Sequence, residues 1–377
     1  MEIKPLLPST SLPIGLAALV LFLPILAHFL APQLRKLKSD ILLLYDNAIL
    51  HLDRKDHQTY DIVGLRVYPI KSCRGFTVSK TTVRLHGLDL DRQWMFVDAE
   101  TNKFVTIRHN PRMTLINTAI SDDGQNLLIS VPAGAAKDDC NAGGADDGTV
   151  IKIPARPTAE WLKQNTTLGN VEIWGLQTDG HIYGPEVNEV VSRFLDQAVY
   201  LVYKGPTPRN LRGNGNEANL GRLQSTYFPD QMPILIASES SIAELNSRLV
   251  KKGENTLTIE RFRPNIIIQG NAPWSEDKWK TVRLSDPNKK NGQKSIVADI
   301  VSRCGRCLVP NVEPNTGQRH KTEPWNTLYS YRRVDEGYKT KPCVGMLSCP
   351  RREGEVEVGM KLEVLRQTDS HRAIAGF

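Results

Sequence analysis

The feature that most constrains the fold of this 377-residue chain is a series of short β-branched or aromatic runs, most of them bounded by Gly, Pro, Asp or Asn. In the first part of the chain these runs lie at 62–70, 76–85, 93–98, 104–107, 114–120 and 127–131. Runs of this length between turn residues are typical of strands. They predict a small β-rich domain near the N-terminal side of the chain.

A second set of strand-like runs follows at 232–237, 265–269, 281–284, 296–301 and 360–365. Two predicted helices lie near them. Gly184 and Pro185 have the form of a helix start, and Ser241 with Glu244 resembles a capping box. The alternation of strands and helices is too weak for a doubly wound parallel sheet. The predicted fold class is therefore mainly β with α (α+β).

The N-terminal segment has a different composition. No Asp, Glu, Lys or Arg occurs from residue 5 to residue 34, and basic residues begin at Arg35. About twenty helical residues span about 30 Å, the hydrocarbon thickness of a bilayer. A signal peptide would carry its charge in front of a shorter apolar core, and two internal prolines disfavour a buried core helix. We predict a single-pass transmembrane helix, with the chain after it in the cytosol by the positive-inside rule.

These patterns predict the order of the parts of the chain. The predicted parts are an anchor at 1–34, a connector at 35–59, a β domain at 60–180, a larger mixed domain at 181–369 and a tail at 370–377. The Gly- and Asp-rich segment 133–148 is expected to be a surface insertion. For the segment 205–224, a functional loop and a disordered insertion are equally supported.

Charge and cysteine content narrow the function. The net charge of +7 is dispersed along the chain and suits an anionic ligand, an acidic partner or a membrane surface. No nucleic-acid partner is predicted, because no zinc-finger spacing or aromatic RNA-binding signature accompanies the charge. Six cysteines are too few for a disulfide scaffold of this length, which favours a reducing compartment.

Two cysteines form the most informative motif. Cys304 and Cys307 are three residues apart, and arginines flank them. Neighbouring positive charge favours the thiolate, the form that binds soft metals or attacks disulfides. The spacing also allows a disulfide couple or half of a zinc site, which Cys343 and Cys349 would complete with irregular spacing.

Three further segments place polar groups at the ends of predicted strands. Lys71 and Ser72 occupy a strand-to-turn edge that suits phosphate, although an ordinary solvated turn is the simpler interpretation. Arg92 follows aspartates, so a structural ion pair is the simpler interpretation there. Arg263 and Asn265 are expected on one face of a strand, because a following proline favours extended backbone. That pair suits a planar, acceptor-rich group, whereas a solvated strand edge is the simpler interpretation of the segment alone.

Taken in order, these motifs resemble the MOSC family, and within it the membrane-anchored mitochondrial amidoxime-reducing branch with its fungal and plant relatives. The resemblance rests on Val-Gly-Leu-Arg-Val-Tyr-Pro-Ile-Lys-Ser-Cys-Arg-Gly, Asp-Arg-Gln-Trp, Arg-Phe-Arg-Pro-Asn, and Cys-x-Arg-Cys leading to Val-Glu-Pro-Asn-Thr-Gly. It covers residues 60–365. It implies a small β-barrel-like MOSC N-terminal domain followed by a larger β-barrel MOSC domain with flanking helices.

The resemblance also implies a molybdenum cofactor (Mo-molybdopterin) whose metal takes one protein thiolate. By position that thiolate is Cys307, as catalytic residue and metal ligand, and a soft sulfur suits such a site. The implied cofactor-binding residues are Lys71, Ser72 and Arg92 for the phosphate, Arg263 and Asn265 for the pterin, and Ser238 near the metal.

The implied reaction is a two-electron reduction of N-hydroxylated substrates, such as amidoximes and hydroxamic acids. Electrons would come from NADH through cytochrome b5 reductase and cytochrome b5. The implied location is the outer mitochondrial membrane, although the anchor suits the endoplasmic reticulum equally. Molybdenum-cofactor sulfurase is disfavoured, because it requires a large pyridoxal-phosphate domain upstream. A non-enzymatic carrier of the cofactor and a zinc or dithiol redox protein stay open as alternatives.

Overall fold

The computed structural model describes residues 58–133, 148–287 and 295–374, together with the single helical positions Leu30, Gln33 and Leu37. The predicted insertion at 133–148 lies outside these residues except for its two ends. The predicted connector at 35–59 lies outside them except for Leu37 and its last two residues. The architecture below concerns residues from 58 onward.

The described elements are short strands with a few helices. The strands are β1 (Thr59–Val67), β2 (Phe76–Val78), β3 (Lys80–Arg84), β4 (Gly87–Leu88), β5 (Trp94–Asp98), β6 (Asn117–Ile120), β7 (Asn126–Val131), β8 (Thr149–Pro154), β9 (Thr166–Ile173), β10 (Leu176–Tyr183), β11 (Val199–Lys204), β12 (Arg209–Asn210), β13 (Ser225–Thr226), β14 (Ile234–Ser238), β15 (Ile266–Ile268), β16 (Trp279–Ser285), β17 (Ile296–Gly305), β18 (Cys343–Pro350), β19 (Gly354–Glu357) and β20 (Lys361–Gln367). The α-helices are α1 (Ala159–Asn165), α2 (Pro185–Leu195), α3 (Glu217–Leu220), α4 (Glu239–Lys251) and α5 (Trp325–Tyr331).

Seven of these strands form a closed barrel in the order β15, β14, β18, β17, β16, β20 and β1, because β1 also pairs with β15. The β14–β15 pair is parallel. The three residues of β15 are all isoleucines and all buried. Ile266 and Ile268 pack in the large core, whereas Ile267 packs with α4 residues such as Leu245 on the other face. A strand covered on both faces needs such a continuous apolar run.

A second sheet has the order β5, β11, β10 and β9, and a third contains β6, β7 and β8. Helix α2 packs against this region through Val191 and Phe194, which belong to the large core. The helix starts as predicted, with Gly184 as N-cap and Pro185 in the first turn. Burying one apolar stripe of α2 fixes the helix on the sheet.

The prediction of a β-rich fold is confirmed. The prediction of a transmembrane helix is wrong. Over the described residues, no helix is long and apolar enough to cross a membrane. The longest described helix, α4, has 13 residues, or about 20 Å, against the roughly 30 Å of a bilayer core. The segment 1–34 to which the prediction referred lies outside the described residues apart from Leu30 and Gln33.

The structure also bears on two local predictions: it is against the disordered alternative for the segment 205–224, and it differs from the strand predicted at 104–107. The segment 205–224 is ordered by pairing: β12 pairs with β13, and α3 lies between them. The predicted strand at 104–107 is reduced to isolated bridges at Lys103 and Phe104. In both cases long-range pairing decided the local structure, which a local pattern does not encode.

Candidate functional site

A cavity of about 370 Å³ lies where several of the predicted site residues meet. Its lining includes Lys71, Ser72, Arg92, Arg263, Asn265 and Cys307, drawn from distant parts of the chain. The remaining predicted residue, Ser238, does not line it. Ser238 is fully buried at the start of α4, and its hydroxyl bonds to Ser240 at 2.8 Å. The structure therefore brings together all the predicted site residues except Ser238.

Lys71 and Ser72 lie in the turn that follows β1. The backbone of Ser72 is left-handed, with φ of 71°. The Lys71 side chain is buried, donates to the backbone oxygen of Phe228 at 3.0 Å and forms an ion pair with Asp230. Burial lowers the pKa of Lys71 to about 8, although Asp230 opposes this shift. The turn thus holds an amine that loses its proton more easily than an exposed lysine does.

Arg92 and Arg263 form a pair of guanidinium groups over one aromatic ring. They lie 4.4 Å and 4.3 Å from the centroid of Tyr68. Arg92 donates to the buried carboxylate of Asp91 at 2.7 Å and to the backbone oxygen of Arg263 at 3.1 Å. The pKa of Arg263 is lowered to about 10, mainly by burial and then by Arg92. Two cations share one nearby carboxylate, which leaves this side of the cavity positive.

The predicted strand geometry of Arg263 is wrong. The segment Ile259–Phe262 is a 3-10 helix, and Arg263 ends it with φ of 58° and ψ of 45°. The expected effect of Pro264 on extended backbone is overridden by this helix end. Consequently Arg261 points elsewhere and pairs with Glu313, whereas Arg263 turns into the cavity.

Asn265 lines the cavity, and its side chain also forms hydrogen bonds to the backbone of two barrel strands. Its Oδ1 accepts from the backbone N–H of Leu235 at 3.1 Å, and its Nδ2 donates to the backbone oxygen of Arg66 at 3.3 Å. These bonds connect β14 with β1 across β15. Part of the hydrogen-bonding capacity of this amide is therefore used by the fold.

Cys307 also lines the cavity, in a more apolar environment than that of Arg92 and Arg263. Its sulfur packs beside Ile107, Val309 and Val312. It accepts from Arg108 Nε at 3.3 Å. A half-buried cysteine sulfur is a suitable ligand for a soft metal.

Cys304 also lines the cavity, in a different environment. Arg306 Nη1 donates to its sulfur at 3.0 Å, while Arg306 Nη2 donates to the backbone oxygen of Phe262 at 3.0 Å. The two thiols of the motif therefore have separate arginine partners. Neither thiol is bonded to the other, since both are free.

The four-cysteine zinc site is not formed. Cys343 and Cys349 are the first and a late residue of β18, and six residues of extended chain span about 20 Å. Burial raises the pKa of Cys343 to about 12 and raises that of Cys349 as well. Among the described residues no group of three or more His, Cys, Asp or Glu side chains is placed to hold a metal ion.

The cavity residues that the sequence analysis missed include Asp230, Arg108 and Trp174. Asp230 pairs with both Lys71 and Arg108, the latter at 2.6 Å. Trp174 Nε1 donates to Asp230 at 3.3 Å. Burial raises the pKa of Asp230, but Lys71 and Arg108 outweigh it and hold the pKa below its usual range. These side chains come from unrelated turns, so no sequence motif joins them.

The residues present fit an anionic ligand with a thiolate-bound centre. Within the described residues, the Nη2 group of Arg263 is buried without a hydrogen-bond partner. A buried donor without a partner is costly, and a ligand oxygen would satisfy it. The Arg263 Nη2 group, Arg92 and Lys71 are hydrogen-bond donors that suit the phosphate of such a ligand. The Cys307 sulfur is a suitable ligand for its metal.

Comparison with known proteins gives the family. Residues 59–198 match the MOSC N-terminal beta barrel domain, and residues 224–363 match the MOSC domain. Mitochondrial amidoxime-reducing component 1 of Mus musculus is 31% identical over 83% of this chain and 85% of its own length. The Homo sapiens component 1 is 32% identical over 82% and 84%, and the Homo sapiens component 2 is 28% identical over 81% and 84%. Both domain matches and these relatives show that the chain belongs to the MOSC-domain family, as a relative of the mitochondrial amidoxime-reducing components.

Proposed function

We propose that this chain is a molybdenum-dependent oxidoreductase that reduces N-hydroxylated substrates such as amidoximes and hydroxamic acids. One observation carries the proposal: a single cavity gathers the Cys307 sulfur and the cationic groups of Lys71, Arg92 and Arg263. The names of the relatives as amidoxime-reducing components support the same reaction class.

The proposed cofactor is Mo-molybdopterin. Lys71, Ser72 and Arg92 would hold its phosphate, and Cys307 would bind the metal. The partnerless Nη2 group of Arg263 supports a contact with the pterin. Asn265 would also contact the pterin, through the hydrogen-bonding capacity of its amide that the two backbone bonds do not use. When bound, the cofactor supplies the two-electron redox chemistry.

The protein's own groups hold the reacting region in place. Arg108 donates from Nε to the Cys307 sulfur and so helps to fix the position of that side chain. Asp230 fixes the Arg108 guanidinium by accepting from Nη2 at 2.6 Å. Ile107 and Val309 cover the sulfur with apolar surface and reduce its contact with water.

For electron supply we propose NADH, cytochrome b5 reductase and cytochrome b5 as partners. The net charge of +7 is compatible with an acidic protein partner. A mitochondrial location is proposed because the relatives are named as mitochondrial proteins.

A reconstituted assay tests the proposal. The full chain, purified with its cofactor, is mixed with NADH, cytochrome b5 reductase, cytochrome b5 and benzamidoxime, and benzamidine is measured. We expect benzamidine to form with the wild type and not with Cys307→Ser. A chain that contains molybdenum yet forms no benzamidine would instead be a cofactor carrier, and stoichiometric zinc without molybdenum would refute the cofactor assignment.

A further inference from the structure

The turn that joins β9 and β10 has an unusual residue for its backbone. Ile173 pairs with Leu176, so Trp174 and Gly175 alone form the loop. Their φ values are 54° and 71°. Two left-handed residues in a two-residue hairpin loop define a type I′ turn, in which Asn, Asp or Gly is preferred at the first position. A bulky tryptophan there is strained, and strain of this kind persists mainly where function requires the side chain.

The indole of Trp174 is held in one orientation at the cavity wall. The Phe104 ring lies 4.8 Å away at 54°, and the Arg108 guanidinium lies 4.8 Å from the indole centroid. The indole nitrogen donates to Asp230 Oδ1 at 3.3 Å. Three different partners therefore fix this ring where a turn residue would ordinarily be free to move.

The Trp174 ring lies close to the Cys307 sulfur, with Arg108 between them. Arg108, which packs on the indole, also donates to the Cys307 sulfur at 3.3 Å. Only one side chain thus separates the ring from the Cys307 sulfur. Trp174 lines the same cavity as Arg92, Arg263 and Cys307. The two arginines suit the anionic part of the cofactor, whereas the aromatic indole suits an apolar part of the substrate.

We propose that Trp174 is a specificity-determining residue that favours N-hydroxylated substrates with a flat aromatic group on the carbon attached to the reacting N–O group. This inference rests on the proposed function. An aromatic substituent gains offset or edge contact with the indole, whereas a small aliphatic substituent does not. The strained turn is then the structural cost of placing a large ring at the substrate side of the cavity.

Two amidoximes that differ only in this group test the idea. Benzamidoxime and acetamidoxime carry the same reacting atoms on a phenyl and on a methyl group. For Trp174→Asn we expect kcat/KM for benzamidoxime to fall about tenfold more than that for acetamidoxime, mainly through KM, since one aromatic contact contributes a factor of this order. Trp174→Phe keeps a ring and should retain selectivity within about threefold of the wild type.

The melting temperature of the cofactor-free chain gives a readout independent of catalysis. Trp174→Asn and Trp174→Ala both remove the ring, but asparagine accepts a left-handed backbone more readily. We therefore expect the Asn variant to melt at a higher temperature than the Ala variant. Equal melting temperatures would refute the inference that the left-handed backbone at position 174 is strained for ordinary side chains.

The outcomes separate the two proposals. If the wild type reduces neither amidoxime, the proposed function is refuted and this inference with it. If the wild type reduces both and Trp174→Asn lowers kcat/KM equally for both, the inference alone is refuted. A selective loss in Trp174→Asn with retention in Trp174→Phe supports it.

Discussion

Lys71 gives the sharpest test of the electrostatics of the cavity. Its side chain is 6% exposed, so solvent screens its charge little. Burial lowers its pKa to about 8 in the folded chain, while the Asp230 carboxylate only partly opposes the shift. In the unfolded chain a lysine titrates near its ordinary pKa of about 10.4.

The sign of the effect follows from proton linkage. Between pH 8 and about 10.4 the unfolded chain binds a proton at Lys71 that the folded chain has released. The unfolded state binds more protons, so the free energy of unfolding rises with pH in this window. Integrating the two titrations from pH 7 to pH 10 gives a gain of about 2.5 kcal/mol from this single group. Below pH 8 both states hold the proton, and the cost of burying the charge is fully present.

Urea unfolding of the cofactor-free full chain at pH 7, 8, 9 and 10, followed by tryptophan fluorescence, measures this gain. Lys71→Met removes the titrating amine while keeping a long apolar side chain. The free energy of unfolding of the wild type minus that of the variant should rise by about 2.5 kcal/mol over this range. Taking the difference cancels Lys204, whose pKa is also lowered by burial. A flat difference curve would refute the argument, and a falling one would show that the ion pair with Asp230 outweighs burial.

Two further predictions concern the cysteine motif and a crowded glycine. Cys307→Ser should lose molybdenum, measured by elemental analysis, whereas Cys304→Ser should keep most of it; exchanged results would assign the metal to the other thiol. Gly75→Ala should destabilise the chain by about 1–3 kcal/mol in urea unfolding, as overpacking does, because the added carbon would lie 2.5 Å from the Tyr68 ring. Gly124→Ala, with open space around it but φ of 73°, is the control and should cost about 1–2 kcal/mol from backbone strain alone. A Gly75→Ala variant as stable as wild type would contradict the packing argument.

Much of the site could be predicted from the sequence, because its residues belong to contiguous motifs. Lys71 with Ser72 and the Cys304–Cys307 pair each lie in a short run with an evident chemical character. Their convergence on one cavity was inferred from the resemblance to a family and not from the runs themselves. Ser238 shows the limit of that inference, since it is the N-cap residue of α4 and lies outside the cavity lining.

The sequence by itself determined that the chain is β-rich, because a short apolar run between turn residues, such as the one that forms β7, is a local property. It also determined which groups are available for chemistry. Only the tertiary structure decided that β1 closes a barrel with β15, and that a hairpin turn and two distant loops place Trp174, Arg108 and Asp230 beside Cys307. These contacts join residues far apart in the chain, and their energies depend on burial and pairing that no local pattern contains.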